Sequence, residues 1–228
     1  MRHGLEVSKM QFFILNANKK NIGSLDTEYG VNPIYDDVFK QYLSTGAYDL
    51  EFNILLEDDV YAELLKEQNY LLFYWNNKLK LTQIENIKDT ETIDGVYRNV
   101  YAVSCSLELY QNQIRPTTLE GSVATCLSAV LQDTNFKVGS ISKTVEEKTG
   151  ILKLTSITPV YTVLQQLITA FDNIELDFRV EVVDQYAGKY EFFVDVYANG
   201  ELGNKTCQRI EYDWNEFGMS KSTDTSEF

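Results

Sequence analysis

The segment Ile174–Val182, IELDFRVEV, carries the clearest structural pattern in the chain, because apolar and charged residues alternate along its whole length. A second segment, Tyr190–Val196 (YEFFVDV), repeats the alternation after the polar loop Asp184–Lys189. A period of two is typical of a β-strand with one buried face, so the two segments predict an antiparallel hairpin. The polar side of this hairpin is expected to face solvent, and it carries Glu175, Asp177, Glu181, Glu191 and Asp195.

Two helices are predicted upstream of this hairpin. Thr117 and Glu120 have the spacing of a capping box, and apolar residues at helical spacing follow over 123–131. A second helical stripe covers 160–171, and it begins after Thr158-Pro159, where threonine is expected to cap the helix and proline to take its first position. Both stripes predict helices with one buried face.

Two short runs between these helices, Phe136–Ile141 and Ile151–Thr155, are predicted to be strands. Residues 113–205 therefore predict an α+β domain in which two helices cover one face of an antiparallel or mixed sheet. In residues 206–228 only one further strand is predicted. The apolar residues after it are separated by polar residues and form no helical or strand pattern. They predict the start of a further, truncated domain; the residues concerned are Thr206–Tyr212, Trp214, Phe217 and Met219.

Residues 11–112 are predicted to be β-rich. Tyr48–Leu55 alternates cleanly, and the turn Ser44–Ala47 joins it to Asp36–Leu43 as a hairpin. Asp58 and Asp59 predict a short helix that ends near Gln68. With the remaining strands, this segment predicts a closed or nearly closed antiparallel β-barrel; those strands are Gln11–Leu15, Ile22–Leu25, Tyr70–Trp75, Lys78–Ile87 and Val96–Val103.

Composition excludes several classes of protein. The 228 residues include 20 Lys+Arg and 34 Asp+Glu, a formal charge of −14, which disfavours nucleic-acid binding because phosphate contacts need clustered basic residues. No apolar run approaches the roughly 18 residues of a membrane span. The many aromatic residues (15 Tyr, 12 Phe and 2 Trp) favour a folded core over disorder. Only residues 1–10, which show no pattern, are expected to be a disordered leader.

Cysteine and histidine are too few for the common catalytic and metal sites. The three cysteines are widely spaced and odd in number, so no disulfide framework is expected, and buried structural thiols are the preferred interpretation. His3 is the only histidine, and it lies in the leader, so Ser–His and Cys–His catalysis lack a base. Phosphate-binding glycine motifs do not occur. We therefore predict no catalytic, cofactor-binding or metal-ligating residue and no cofactor.

Two other function classes stay open. Paired carboxylates could support a cell-wall hydrolase, although surface acids and a helix N-terminus explain them more simply. Exposed aromatic residues could support a glycan- or receptor-binding module, although tyrosine is also a good half-buried strand residue. The candidates are Asp36, Asp37 and Glu57 for the hydrolase, and Tyr70, Tyr74 and Trp75 for the glycan site, with Trp75 expected to fill the barrel core otherwise.

An ordered set of segments resembles the N-terminal region of the prophage tail endopeptidase, or tail-associated lysin, family of phages that infect Gram-positive bacteria. The resemblance extends from about Met10 to Phe228, nearly the whole chain. The segments that carry it are Phe12–Leu25 (FFILNANKKNIGSL), Tyr35-Asp36-Asp37, Tyr48–Ile54 (YDLEFNI), Glu67–Phe73 (EQNYLLF), Arg115–Glu120 (RPTTLE), Phe136–Gly139 (FKVG) and Ser222–Ser226 (STDTS).

The resemblance implies a virion structural protein of the baseplate hub, or tail tip. Such hubs are trimers in which two barrel domains of each subunit form a pseudo-sixfold ring. Residues 11–112 would match the first barrel, 113–205 the attached α+β domain, and 206–228 the start of the second barrel. The implied partners are further copies of the chain, the distal tail protein, the tape measure protein and the tail tube. Any peptidase would lie further C-terminal, so no catalytic residue is carried over.

The acidic composition gains a possible role from this resemblance. A tube that passes DNA benefits from walls that repel phosphate, whereas basic walls would retard the DNA. We therefore hypothesise that some of the excess carboxylates line the lumen of a trimer.

Overall fold

The computed structural model describes residues 11–26, 34–56, 59–93, 95–184 and 186–202. None of the helices in this part of the chain is both long and apolar enough to cross a membrane. The strands are β1 Gln11–Leu15, β2 Asn21–Asp26, β3 Ile34–Gln41, β4 Tyr48–Leu56, β5 Tyr70–Trp75, β6 Lys78–Thr92, β7 Gly95–Ser104, β8 Gln113–Ile114, β9 Thr117–Ser122, β10 Phe136–Ile141, β11 Thr149–Leu154, β12 Thr158–Pro159, β13 Glu175–Asp184 and β14 Lys189–Tyr197. The α-helices are α1 Asp59–Leu64, α2 Val123–Leu131, α3 Lys143–Glu146 and α4 Val160–Ala170, and a 3-10 helix covers Cys105–Tyr110.

The first seven strands form one antiparallel sheet in the order β2-β1-β5-β6-β7-β4-β3. Strands β1 and β4 are four positions apart in this order, which in a flat sheet would separate them by about 19 Å. The rings of Phe12 on β1 and Phe52 on β4 nevertheless stack, with centroids 5.5 Å apart. The sheet is therefore rolled around its own apolar core, and we call residues 11–104 the rolled sheet.

Of the two expected forms, a closed or a nearly closed barrel, the closed one is not found in the described residues. Among the described residues, β2 pairs only with β1 and β3 pairs only with β4, so the two edge strands do not join. β3 also carries a bulge between Tyr35 and Val38, and Asp36 there has a φ of 52°. Bulges and charged residues are common devices that prevent an edge strand from pairing. The strands therefore lie where the alternation of apolar residues predicted them, but the rolled sheet stays open between its edge strands β2 and β3.

Helix α1 packs against the interior of the rolled sheet, and Arg98 of β7 holds it there. The Arg98 guanidinium donates hydrogen bonds to the carbonyl oxygens of Ala62 (2.7 Å) and Leu65 (2.8 Å) at the C-terminal end of the helix. It also forms a bidentate pair with Asp89, at 2.7 Å for both contacts. The last carbonyls of a helix have no partner within the helix, so Arg98 supplies donors that α1 itself lacks. The helix ends at Leu64, one turn before the expected Gln68.

The C-terminal unit, Cys105–Leu202, contains the predicted α+β arrangement. Its three-stranded sheet has the order β10-β14-β13; β13 and β14 are antiparallel, and β10 runs parallel to β14, so the sheet is mixed. Helices α2 and α4 share one apolar cluster with the alternating residues of β13 and β14, as predicted. The predicted hairpin and both intervening strands are present, within two residues of their expected bounds.

The capping box prediction is wrong. Residues Thr117–Ser122 form strand β9, which pairs with β11 from Thr117 opposite Leu154 to Ser122 opposite Thr149. The helix begins later, at Val123, and its cap is Ser122, whose hydroxyl accepts a hydrogen bond from the backbone N–H of Thr125 at 3.2 Å. Tertiary pairing with β11 therefore overrides the local capping signal. Helix α4 begins at Val160, with Pro159 at the N-cap rather than at the first helical position.

The rolled sheet and the C-terminal unit share an apolar core. Residues of β1, β4, β5 and β6 contribute to the cluster that holds α2, α4 and the mixed sheet. The inner face of the rolled sheet forms a separate cluster of its own. Residues Leu79 to Thr82 of β6 are all buried, so this strand is covered on both faces near its start, and Lys80 is buried although it alternates with Leu79 and Leu81. The residues of the rolled sheet in the shared cluster are Leu15, Tyr48, Tyr70, Leu72, Leu79 and Leu81.

Candidate functional site: an interlobe charge network

A buried group of charged side chains joins the rolled sheet to the C-terminal unit. We call it the interlobe network; its members are Lys78 and Lys80 of β6, Asp177 and Arg179 of β13, and Asp195 of β14. Lys80, Asp177 and Asp195 are each only 1 % exposed. Charges are rarely buried this completely unless they are paired, because each ion loses its hydration.

Asp177 lies at the centre of the network. Its carboxylate accepts hydrogen bonds from Lys80, from the Lys78 ammonium at 2.8 Å, and from the Gln41 side-chain amide at 2.9 Å. All three donors come from the rolled sheet, although Asp177 belongs to the C-terminal unit. The Lys80 ammonium also donates to the carbonyl oxygen of Phe178 at 2.9 Å and lies over the ring of Tyr48, 4.9 Å from its centroid.

Asp195 extends the network across the mixed sheet. It accepts hydrogen bonds from Lys78 at 2.8 Å, from Arg179 at 2.9 Å and from the backbone N–H of Ser140 at 2.8 Å. The strand that passes beside it carries Gly139, and a Cβ at that position would lie 2.1 Å from Asp195 Oδ1. Only glycine leaves room for the carboxylate there.

The expectation that the polar hairpin face is solvated is therefore wrong for three of its five residues. Asp177 and Asp195 are buried in the interlobe network, and Glu175 is 5 % exposed. The Glu175 carboxylate accepts hydrogen bonds from the backbone N–H groups of Gly200 and Leu202, both at 2.8 Å. Only Glu181 and Glu191 remain largely accessible, where they pair with Arg179 and Lys137.

The network shifts the pKa values of its members in opposite directions. Burial would raise the pKa of Asp195, but hydrogen bonds from Lys78 and Ser140 and the nearby positive charges outweigh burial and lower it. Burial lowers the pKa of Lys80 despite its contact with Asp177. Burial would also lower the pKa of Lys78, but its hydrogen bonds to Asp177 and Asp195 raise it instead.

This pattern predicts a loss of stability in acid. The pKa of Asp195 is lower in the folded chain than its unfolded value of about 3.9, so the unfolded chain binds the proton more readily. The free energy of unfolding should therefore be unaffected by this group above about pH 5, and should fall as the pH drops below about 4. Urea titrations between pH 2.5 and 7 measure this dependence.

The matched control is Asp195→Asn, which cannot titrate. Its free energy of unfolding should be lower than that of the native chain at neutral pH, and the gap should narrow in acid. A gap that is constant across the whole range would contradict the assigned role of Asp195.

Backbone contacts flank the network on the same interface. A Cβ on Gly46, in the β3–β4 turn with a φ of 72°, would lie 2.7 Å from the carbonyl oxygen of Leu176. A Cβ on Gly188, in the β13–β14 turn with a φ of 69°, would lie 2.5 Å from the carbonyl oxygen of Asn18. Lys19 adds a contact to Glu108 at 3.3 Å. The two parts of the chain therefore meet with little space between their backbones.

The carboxylates considered for a hydrolase are not brought together with the network. Asp36 and Asp37 are exposed on the bulged edge strand β3, and Asp36 accepts a hydrogen bond from the side-chain amide of Asn53 at 3.5 Å. Glu57 lies outside the described residues. Within the described part of the chain, no group of three or more His, Cys, Asp or Glu residues is arranged to hold a metal ion.

The aromatic residues considered for glycan binding do not form a common surface. Tyr70 is buried in the shared apolar cluster, whereas Tyr74 is 63 % exposed. Trp75 points to the other face of β5, where its ring lies 4.5 Å from that of Phe39 against the inner cluster of the rolled sheet. Trp75 is half-buried, so it packs against the core of the rolled sheet without filling it.

The two cysteines in the described residues are buried and free, as expected for structural thiols. Burial raises the pKa of both Cys105 and Cys126, which opposes formation of a thiolate. The leader and the segment 206–228, including its predicted strand and aromatic residues, lie outside the described residues.

Comparison with known proteins gives similarity in structure without similarity in sequence. No protein-family model matches the chain, and no curated protein sequence is significantly similar to it. Among solved structures, the chain is similar to prophage tail protein gp18 from Listeria monocytogenes EGD-e, with a TM-score of 0.57 and 11 % identity over 91 % of this chain. It is also similar to the tail protein from Neisseria meningitidis MC58, with a TM-score of 0.50 and 9 % identity over 81 % of this chain.

The matches cover 56 % of the Listeria protein and 50 % of the Neisseria protein, so the chain spans about half the length of each. At these identities the comparison establishes the fold alone. The fold of this chain, α+β and β-rich with a rolled antiparallel sheet followed by a mixed sheet, is one found in solved tail proteins.

Proposed function

We propose that the chain is a virion structural protein of a phage tail, located at the tail tip and synthesised in the cytoplasm of the bacterial host. The observation that carries this proposal is the similarity of fold to two solved tail proteins, which extends over most of the chain. The interlobe network is consistent with this proposal, because its charged side chains pair with one another inside the protein. Such an arrangement supports a rigid building block.

The finer proposal is that the chain forms part of a hub of the kind found in tail-associated lysins. It would assemble as a homotrimer and connect the tail tube, the tape measure protein and the distal tail protein to the cell-facing tip. Residues 11–112 and 113–205 would act as the barrel-like hub domain and the attached α+β domain, followed by a further domain from residue 206. A heterologous ring closes only if every contact is present, so a fragment could remain monomeric.

Co-elution of the full-length protein with its distal tail protein tests the hub proposal. We expect a stable complex in size-exclusion chromatography that contains three copies of the hub protein. An unrelated tail protein from the same virus serves as the control and should elute separately. Failure of the two proteins to associate at micromolar concentration would count against a hub role.

We also propose that this segment has no hydrolase activity and that any peptidase lies further C-terminal. Incubation of the 228-residue chain with purified peptidoglycan should release no soluble fragments. Release that is abolished in the double variant Asp36→Asn, Asp37→Asn would support the hydrolase instead. Glycan binding that is abolished by Tyr74→Ala, a change at an exposed position, would support the receptor-binding alternative.

A further inference from the structure

Two kinds of contact hold the rolled sheet and the C-terminal unit together, and they differ in how strongly they depend on direction. The shared apolar cluster contains buried residues of both parts, and apolar contacts tolerate small rotations because the hydrophobic effect has no directional preference. The interlobe network is directional, since each hydrogen bond requires a donor and an acceptor within a narrow range of distance and angle.

The network is also poorly suited to stabilising the fold. Lys80, Asp177 and Asp195 are all removed from water, and the lost hydration of a buried ion pair offsets most of its attraction. Apolar residues of similar volume often replace a buried ion pair without loss of stability. The network therefore needs an explanation other than its contribution to the free energy of unfolding.

That explanation lies in what a rotation between the two units would cost. The donors to Asp177 come from the rolled sheet, on Gln41, Lys78 and Lys80, while the acceptor belongs to the C-terminal unit. A change in their relative angle would leave buried charges without partners, and such a state is strongly unfavourable. The close backbone contacts at Gly46 and Gly188 restrict the same motion from both sides of the interface.

We infer that the interlobe network is an orientation lock, which selects a single angle between the rolled sheet and the C-terminal unit and adds little to stability. Its use in assembly rests on the proposed function: copies in a closed ring must present every contact at the same angle, so a chain with a variable angle would not close the ring. Lys80 and Asp177 are the positioning residues of the lock.

The test separates stability from orientation with an apolar exchange, Lys80→Met with Asp177→Leu. Asp177→Leu leaves the buried Lys80 ammonium without a carboxylate and should lower the melting temperature by about 10 °C. Lys80→Met should lower it less, because Asp177 keeps its contacts with Lys78 and Gln41. The double variant should melt within about 3 °C of the native chain, since no buried charge is left unpaired at this pair.

Orientation is measured in the same proteins by electron spin resonance between two spin labels. The labels are attached to Lys88→Cys on β6 and Ser128→Cys on α2, both exposed positions, after Cys207 is replaced by serine. The buried cysteines, Cys105 and Cys126, should not react. The native chain should give one narrow distance distribution, and the double variant should give a broad one.

Two outcomes would overturn the inference. A double variant with a distance distribution as narrow as the native one would show that Lys80 and Asp177 do not set the angle. A double variant that melts as low as Asp177→Leu alone would show that the Lys80–Asp177 pair stabilises the fold. If the Met/Leu variant does not fold, the neutral pair Lys80→Gln with Asp177→Asn is measured and judged in the same way. These measurements use the isolated chain, so their result is independent of whether a complex with the distal tail protein forms.

Discussion

Replacement of Gly139 by alanine is expected to lower the free energy of unfolding by about 4 kcal/mol, because the added methyl group displaces the buried Asp195 carboxylate from its hydrogen-bond donors. The new Cβ would lie 2.1 Å from Asp195 Oδ1 and 3.2 Å from the carbonyl oxygen of Val194. Asp195 cannot move aside without breaking its hydrogen bonds to Lys78, Arg179 and the backbone of Ser140. Urea unfolding followed by circular dichroism measures the effect.

The control for Gly139 is a double-mutant cycle with Asp195→Ala. In that background the carboxylate is already absent, so Gly139→Ala should cost about 1 kcal/mol or less, the ordinary range for a change without a clash. A cost that is equal in both backgrounds would mean that the glycine is required for some reason other than Asp195. A cost below about 1 kcal/mol in the native background would contradict the close approach itself.

Replacement of Arg98 by alanine is expected to cost about 3 to 4 kcal/mol, since it leaves a cavity and removes the donors to two helix carbonyls. The Arg98 side chain is 8 % exposed, and the carbonyl oxygens of Ala62 and Leu65 both accept from it. Without Arg98, α1 loses the contact that fixes its end against the rolled sheet. Thermal or urea unfolding measures the loss, and hydrogen exchange within α1 locates it.

Two related variants separate the parts of the Arg98 interaction. Arg98→Lys keeps the charge but lacks the planar fork, so it should recover only part of the loss. Asp89→Asn should cost much less than Arg98→Ala, because the Asp89 side chain is 44 % exposed and its ion pair is screened by solvent. If Asp89→Asn were as damaging as Arg98→Ala, the ion pair rather than the carbonyl contacts would hold the helix.

Most of the elements follow from hydrophobic period, but the closure of the rolled sheet does not. Alternation in Tyr48–Leu55 and Ile174–Val182 reflects one covered face, which is a local property of a strand. Whether β2 and β3 pair depends on a seam between strands far apart in the sheet order, and the bulge near Asp36 has no distinct signature in the sequence. The spacing of apolar residues therefore predicts the strands, but it does not predict whether the edge strands β2 and β3 pair.

The interlobe network was missed for a related reason. In β6, Lys80 alternates with Leu79 and Leu81, so it has the appearance of a solvent-facing residue. Its strand is covered on both faces near its start, and its partner, Asp177, is almost 100 residues further along the chain. One local signal was available: an isolated glycine inside a strand, as at Gly139, often marks a close approach of another group.

The capping error has a similar origin. Thr117 and Glu120 have the right spacing for a helix start, but the segment instead finds six partners on β11. Local preference at a helix start amounts to about 1 kcal/mol, which the pairing of a whole strand exceeds. Ser122 is both the last residue of β9 and the N-cap of α2, and Gly121 beside it has a φ of 128°.

Electron cryomicroscopy of the assembled tail of the proposed phage tests directly whether this chain is a tail-tip protein. We expect three copies around the axis at the tail tip, each with the rolled sheet in the ring and with one fixed angle to its C-terminal unit. The map would also reveal whether carboxylates line the channel; a basic ring there would refute the lumen hypothesis. Tails that contain no density for this fold at the tip would refute the assignment of the chain to the tail tip.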